Sequence, residues 1–146
     1  MNKTYRAATL AVGLLLAACG GSSHSGSAPK VPEVVAGSNW PGISVSTATA
    51  SAEVPVDARR NLAPLLATRV FNRPAPLAEY GLDHPQATLG YRGPGGQTVD
   101  VDVGALNFDR HFVYVQRRGQ PAVYLVPADT LRATLAVVGI DLKPPE

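Results

Sequence analysis

The chain is poor in the residues that most often carry chemistry. It holds one cysteine in 146 residues, Cys19, so no disulfide can close within it. Serine is absent beyond Ser51. A hydrolytic serine has to be held rigidly against a base, and here every hydroxyl of that type lies in the tether or the soft N-terminal stretch ending at Ser51, which argues against a serine hydrolase. No charge of one sign dominates: 13 basic side chains face 11 acidic ones, and Lys3 and Arg6 sit at the extreme N-terminus, so the chain after residue 18 balances at 11 and 11. That removes the basic footprint expected of a nucleic-acid-binding protein. Long hydrophobic runs are also missing. The most apolar stretch, Ala7 to Ala18, would rise about 18 Å as a helix against a hydrocarbon core of roughly 30 Å, too short for a permanent span. The Gly-rich segment "GPGG" (93–96) joins two expected strands and does not open a helix, so it lacks the context of a phosphate loop.

What is present begins with a positively charged head, "MNKTYR", then the uncharged stretch 7–18, closed by small residues. This is the pattern of an export signal, assigned to residues 1–18. Its end, Leu16-Ala17-Ala18-Cys19, resembles the bacterial lipobox. The resemblance implies cleavage before Cys19 and acylation of its thiol. Two or more acyl chains give stable membrane anchoring where one gives only marginal binding. Gly20 follows the cysteine in place of the Asp that often retains such proteins at the inner membrane. The resemblance therefore implies an outer-membrane anchor facing the periplasm in a Gram-negative cell. Residues 19–39 follow, eleven of twenty-one being Gly, Ser or Pro. This composition reads as a flexible tether with a reach of about 25 Å. Residues 40–146 are one domain's worth.

Within that domain, "DARRNLAPLLATRVF" (57–71) is read as a helix, with Leu62, Leu65, Leu66 and Val70 forming a stripe and Asp57 its cap. Pro64 has to sit in its first turn or at a kink. A short helical turn over Leu77–Tyr80, stopped by Gly81 in a left-handed conformation, comes next. The period then changes to two. Strands are expected over 87–91, 97–103, 111–117 and 122–126, with Val99, Val101 and Val103 on one face and Asp100 and Asp102 on the other. "GISV" offers a further strand, and "STATASA" (46–52) a loop or weak edge strand. A last helix is capped by Asp129, buries Leu131, Leu135 and Val138, and stops at Gly139. The expected fold class is α+β, an antiparallel meander of about four strands with helices packed on one face.

Gly81, Leu82, Asp83 and Pro85, then Gly104, then Tyr114 and Val115, Gly119, and Val123-Tyr124-Leu125-Val126 resemble the pattern of the bacterial domain of unknown function 4340. Trp40 and the Leu62/Leu65/Leu66 segment are similar to that family's lead-in. The likeness runs over residues 57–138. It implies a fold and a cell-envelope setting, and no mechanism.

One group of side chains is a candidate for chemistry. Asp100 and Asp102 share a strand face about 7 Å apart, and a loop carrying Asp109 and His111 could complete an oxygen-rich site for a hard cation. The simpler reading makes the two aspartates the wet face of a half-buried strand and Asp109-Arg110 part of a turn. Tyr91, Phe112, Tyr114 and Tyr124, with arginines near the strand ends, are read as cross-strand packing, not as a sugar or nucleic-acid platform. The sequence thus predicts a non-catalytic binding or scaffolding module. Its expected site residue is the lipidated Cys19, with no catalytic, metal or cofactor site assigned. Its expected partners are membrane lipid, through Cys19, and another envelope protein, with no nucleic acid. The alternative is an ion-dependent or enzymatic domain centred on Asp100, Asp102, Asp109 and His111.

Overall fold

The computed structural model describes residues 28–144. The expected signal, Cys19 and the front of the tether lie outside the described residues. Strands β1 (Glu33–Val35), β2 (Gly42–Ser46) and β3 (Ser51–Glu53) come first, then a 3-10 helix over Val56–Asn61. Strands β4 (Leu65–Leu66) and β5 (Arg69–Phe71) follow, and a second 3-10 helix covers Leu77–Tyr80. The chain then runs through β6 (Ala87–Arg92), β7 (Thr98–Leu106), β8 (Phe112–Arg117) and β9 (Val123–Pro127) into α1 (Ala128–Ala136). All pairings are antiparallel. The main sheet has seven strands in the order β3-β2-β6-β7-β8-β9-β5, and β1 and β4 form a separate ribbon.

The meander β6 to β9 occurs where strands are expected, and β6, β8 and the first part of β7 bury every second residue. Leu89 and Tyr91, Val101 and Val103, and Val113 and Val115 are all at 0% exposure on one inner face. That face is covered by α1, through Leu131 and Leu135, together with the first 3-10 helix residue neighbour Leu62 and the β1–β4 ribbon. The fold is therefore an antiparallel α+β arrangement, but with seven strands in place of about four and with α1 as the single α-helix among the described residues. The second 3-10 helix lies on the opposite face, where Tyr80 stacks edge-on against Tyr114 at 4.9 Å.

Three local expectations are corrected. The helix over 57–71 stops at Asn61. Pro64 has no N–H to continue the helical ladder, and the chain turns through a cis Ala63–Pro64 peptide into β4 and β5. Leu62 and Leu65 are still buried, one after a turn and one on a strand, while Leu66 is exposed. Neither expected cap is used. Pro55 precedes the first 3-10 helix and Pro127 precedes α1, without a side-chain cap bond. Asp129 sits inside the first turn of α1 and pairs with Arg132 at 3.1 Å. Finally, the end of the expected tether is part of the fold. Val34 and Val35 are 1% exposed in β1, and Pro32 accepts a hydrogen bond from the Ala67 amide.

The two expected glycine stops stand as read: Gly81 has φ 65° and Gly139 has φ 73°, each ending a helical segment in the left-handed region.

Candidate functional site

On the outer face of the sheet, β7 turns Asp100 and Asp102 away from the core, because Val99, Val101 and Val103 take the inner positions. Both carboxylates meet one cation. Arg118, in the β8–β9 turn, places Nη1 at 3.0 Å from Asp100 Oδ2 and Nη2 at 2.5 Å from Asp102 Oδ1. Thr88 on β6 donates its hydroxyl to Asp102 at 2.8 Å and accepts from Arg118 at 3.2 Å. Hydrogen bonding to Asp102, with the charges of both aspartates, raises the Arg118 pKa further above its ordinary value. The network is a cross-strand clamp over β6, β7 and the following hairpin, with its carboxylates occupied by guanidinium.

Asp109 and His111 do not join it. They lie in the tight β7–β8 turn, whose backbone closes through Asn107 N to Phe112 O and Arg110 N to Asn107 O. Asp109 Oδ1 accepts from the His111 amide at 3.0 Å, and Asn107 Oδ1 from the Phe112 amide at 3.0 Å. The His111 backbone N–H foremost, then the Asn107 side chain and the field of His111, hold the Asp109 carboxyl below its usual range. Arg110 takes φ 63° to close the turn, and Phe108 at its tip is 99% exposed. Among the described residues no group of three or more His, Cys, Asp or Glu side chains is placed to hold a metal ion. The four-residue cation site is thus divided between a strand clamp and a turn.

The strand aromatics pack. Tyr91 is fully buried, donates to the Leu62 carbonyl at 3.0 Å and meets Trp40 edge-on at 5.6 Å. On the outer face Phe71, Tyr80 and Tyr114 form a half-buried group, with Phe71 tilted against both tyrosines and the tyrosines edge-on to each other, a geometry of side chains packing on one another. Burial, followed by the fields of Tyr80 and Asp109, pushes the Tyr114 phenol up.

A concave feature lies elsewhere, and no periodic pattern in the sequence marks it. A cleft of about 700 Å³ opens between the loop after the second 3-10 helix (Gly81–Gln86) and the segment after α1 (Gly139–Pro144). Gln86 ties the two together. Its Nε2 donates to the Gly104 carbonyl at 2.8 Å and the Lys143 carbonyl at 3.2 Å, and its Oε1 accepts from the Lys143 amide at 3.1 Å.

An all-antiparallel sheet backed by one helix defines a structural class and leaves activity open. The family model for the domain of unknown function DUF4340 matches residues 50–137, more than half of the chain. The chain belongs to that family. No curated protein and no solved structure matches it. Among the described residues no helix is long and apolar enough to cross a membrane.

Proposed function

We propose that this protein is a bacterial cell-envelope lipoprotein: a non-catalytic binding or scaffolding module, lipid-anchored through an acylated Cys19 after removal of residues 1–18. In a Gram-negative cell the anchor sits in the outer membrane, facing the periplasm. The observation that carries the reading is Leu16-Ala17-Ala18-Cys19 directly behind the uncharged 7–18 stretch, because cleavage and acylation need that order of apolar run, small residues and thiol. The division of the Asp100/Asp102 pair from Asp109 and His111 supports a binding module over the ion-dependent alternative. A guanidinium already fills the position a cation would take. Balanced charge after residue 18 supports a partner other than nucleic acid. With β1 inside the fold, the connection from Cys19 to Pro32 is shorter than the composition suggests. Thirteen residues beyond the cysteine reach roughly 20 Å as a Gly/Ser-like coil, which keeps the domain close to the bilayer.

The test is in-cell crosslinking followed by affinity purification of the wild-type chain and Cys19→Ala. A stoichiometric envelope partner captured with the wild type and lost with the variant supports an anchored module. A wild-type chain recovered soluble and alone contradicts it.

A further inference from the structure

We infer that the cleft between the Gly81–Gln86 loop and the Gly139–Pro144 segment is a binding site for a small zwitterion, an amino acid or a short peptide with free termini. The inference does not depend on the anchor at Cys19.

Its volume of about 700 Å³ falls within the range of small-molecule sites. Its walls are positioned in advance. Gln86, on the loop wall, is bonded through its side-chain amide to Lys143 on the C-terminal wall and to Gly104 on β7, and the Leu106 amide on β7 donates to the Lys143 carbonyl at 2.8 Å. Leu142 is 7% exposed and roots the C-terminal wall in the core. The opposite wall is fixed at Gly81, whose left-handed backbone lies so close to β7 that a Cβ there would sit 2.9 Å from that of Ala105. A site built this way loses little freedom when a ligand enters.

The chemistry of the lining selects the ligand class. Ala78, Ala105 and Ile140 supply its apolar lining. Asp83 and His84 on the loop wall are already bonded to each other, at 3.0 Å between Oδ2 and Nδ1. Asp141 and Lys143 on the other wall are exposed and take part in no ion pair among the described residues. The cleft therefore offers one free carboxylate and one free ammonium beside a small apolar surface. Two carboxylates in the walls repel a phosphate or another polyanion. A lipid tail makes no use of the charged pair, and among the described residues the acidic groups form no metal-holding cluster. A molecule carrying both an ammonium and a carboxylate, with a short apolar body, can pair with both Asp141 and Lys143 through charge-assisted hydrogen bonds.

The experiment titrates alanyl-alanine into the purified full chain by NMR, with N-acetyl-alanyl-alanine and alanyl-alanine amide as controls that each remove one charge. The expected result is saturable binding with a Kd of about 1 mM or tighter, shifts at the Ala105 and Ile140 amides, and about tenfold weaker binding of either blocked form. Asp141→Asn and Lys143→Met each reduce affinity by about tenfold with the melting temperature unmoved, since both side chains are exposed. Equal binding of all three compounds, or no saturation by about 10 mM, overturns the assignment.

Discussion

Tyr91 shows how one side chain joins two parts of the chain that sequence spacing does not connect. Its ring fills the inner face of β6, and its hydroxyl reaches the carbonyl of Leu62 beyond the first 3-10 helix. Removing that hydroxyl leaves a buried carbonyl without a partner, so Tyr91→Phe should cost about 1–2 kcal/mol in chemical denaturation. Burial pushes the phenol well above its ordinary value. A group whose pKa is raised on folding contributes stability that is complete below its unfolded pKa, about 10, and is lost as pH rises beyond it. The wild type should therefore destabilise above about pH 10 more steeply than Tyr91→Phe. Asp109 works in the opposite sense. Its lowered pKa means that the contact to the His111 amide is present at neutral pH and lost in acid. The His111 amide resonance should titrate with a midpoint below about 3.9. A midpoint at or above that value would show that the turn is not held this way.

At the scale of elements, the outer face of β7 changes character along its length. Asp100 and Asp102 are clamped by Arg118, and two residues later Gly104 lies directly under the Tyr80 carbonyl of the second 3-10 helix, with no room for a Cβ. Gly104→Ala should destabilise the fold by about 1–3 kcal/mol by forcing that helix off the sheet, measurable as a lower melting temperature. Arg118→Met should cost less, about 1 kcal/mol, since the cation is half exposed. These strands were legible because Val99, Val101 and Val103 repeat with a period that only a half-buried strand needs. The 57–71 segment was misread because Leu62, Leu65, Leu66 and Val70 share a helical spacing that also results when a turn, a two-residue strand and a three-residue strand meet the same core. Pro64 was the residue that carried the distinction. β1 was missed for lack of length: Val34-Val35 between Glu33 and Ala36 is too short to show any period, and its burial is decided by pairing with β4, thirty residues on.

For the whole molecule, the missed strand moves the start of the domain. A chain beginning at Trp40 omits two fully buried valines from the core, and should be less stable than one beginning at Ala28 by several kcal/mol, at about 1.5–3 kcal/mol per side chain. Comparing the two melting temperatures checks this, and equal values would place β1 outside the cooperative fold. The cleft was illegible for a related reason. Asp83, His84 and Gln86 come together with Asp141 and Lys143 through the Gln86 bonds and the hydrogen bond from the Leu106 amide to the Lys143 carbonyl, and no local pattern foretells that meeting. The proposed anchor, by contrast, rests wholly on consecutive residues. The mass of the N-terminal peptide from the membrane-extracted protein tests that proposed anchor most directly. A chain lipid-anchored through Cys19 gives a peptide that begins at Cys19 and carries a diacylglyceryl thioether. A peptide that retains residues 1–18, or one that begins at or beyond Cys19 with no lipid on it, would contradict it.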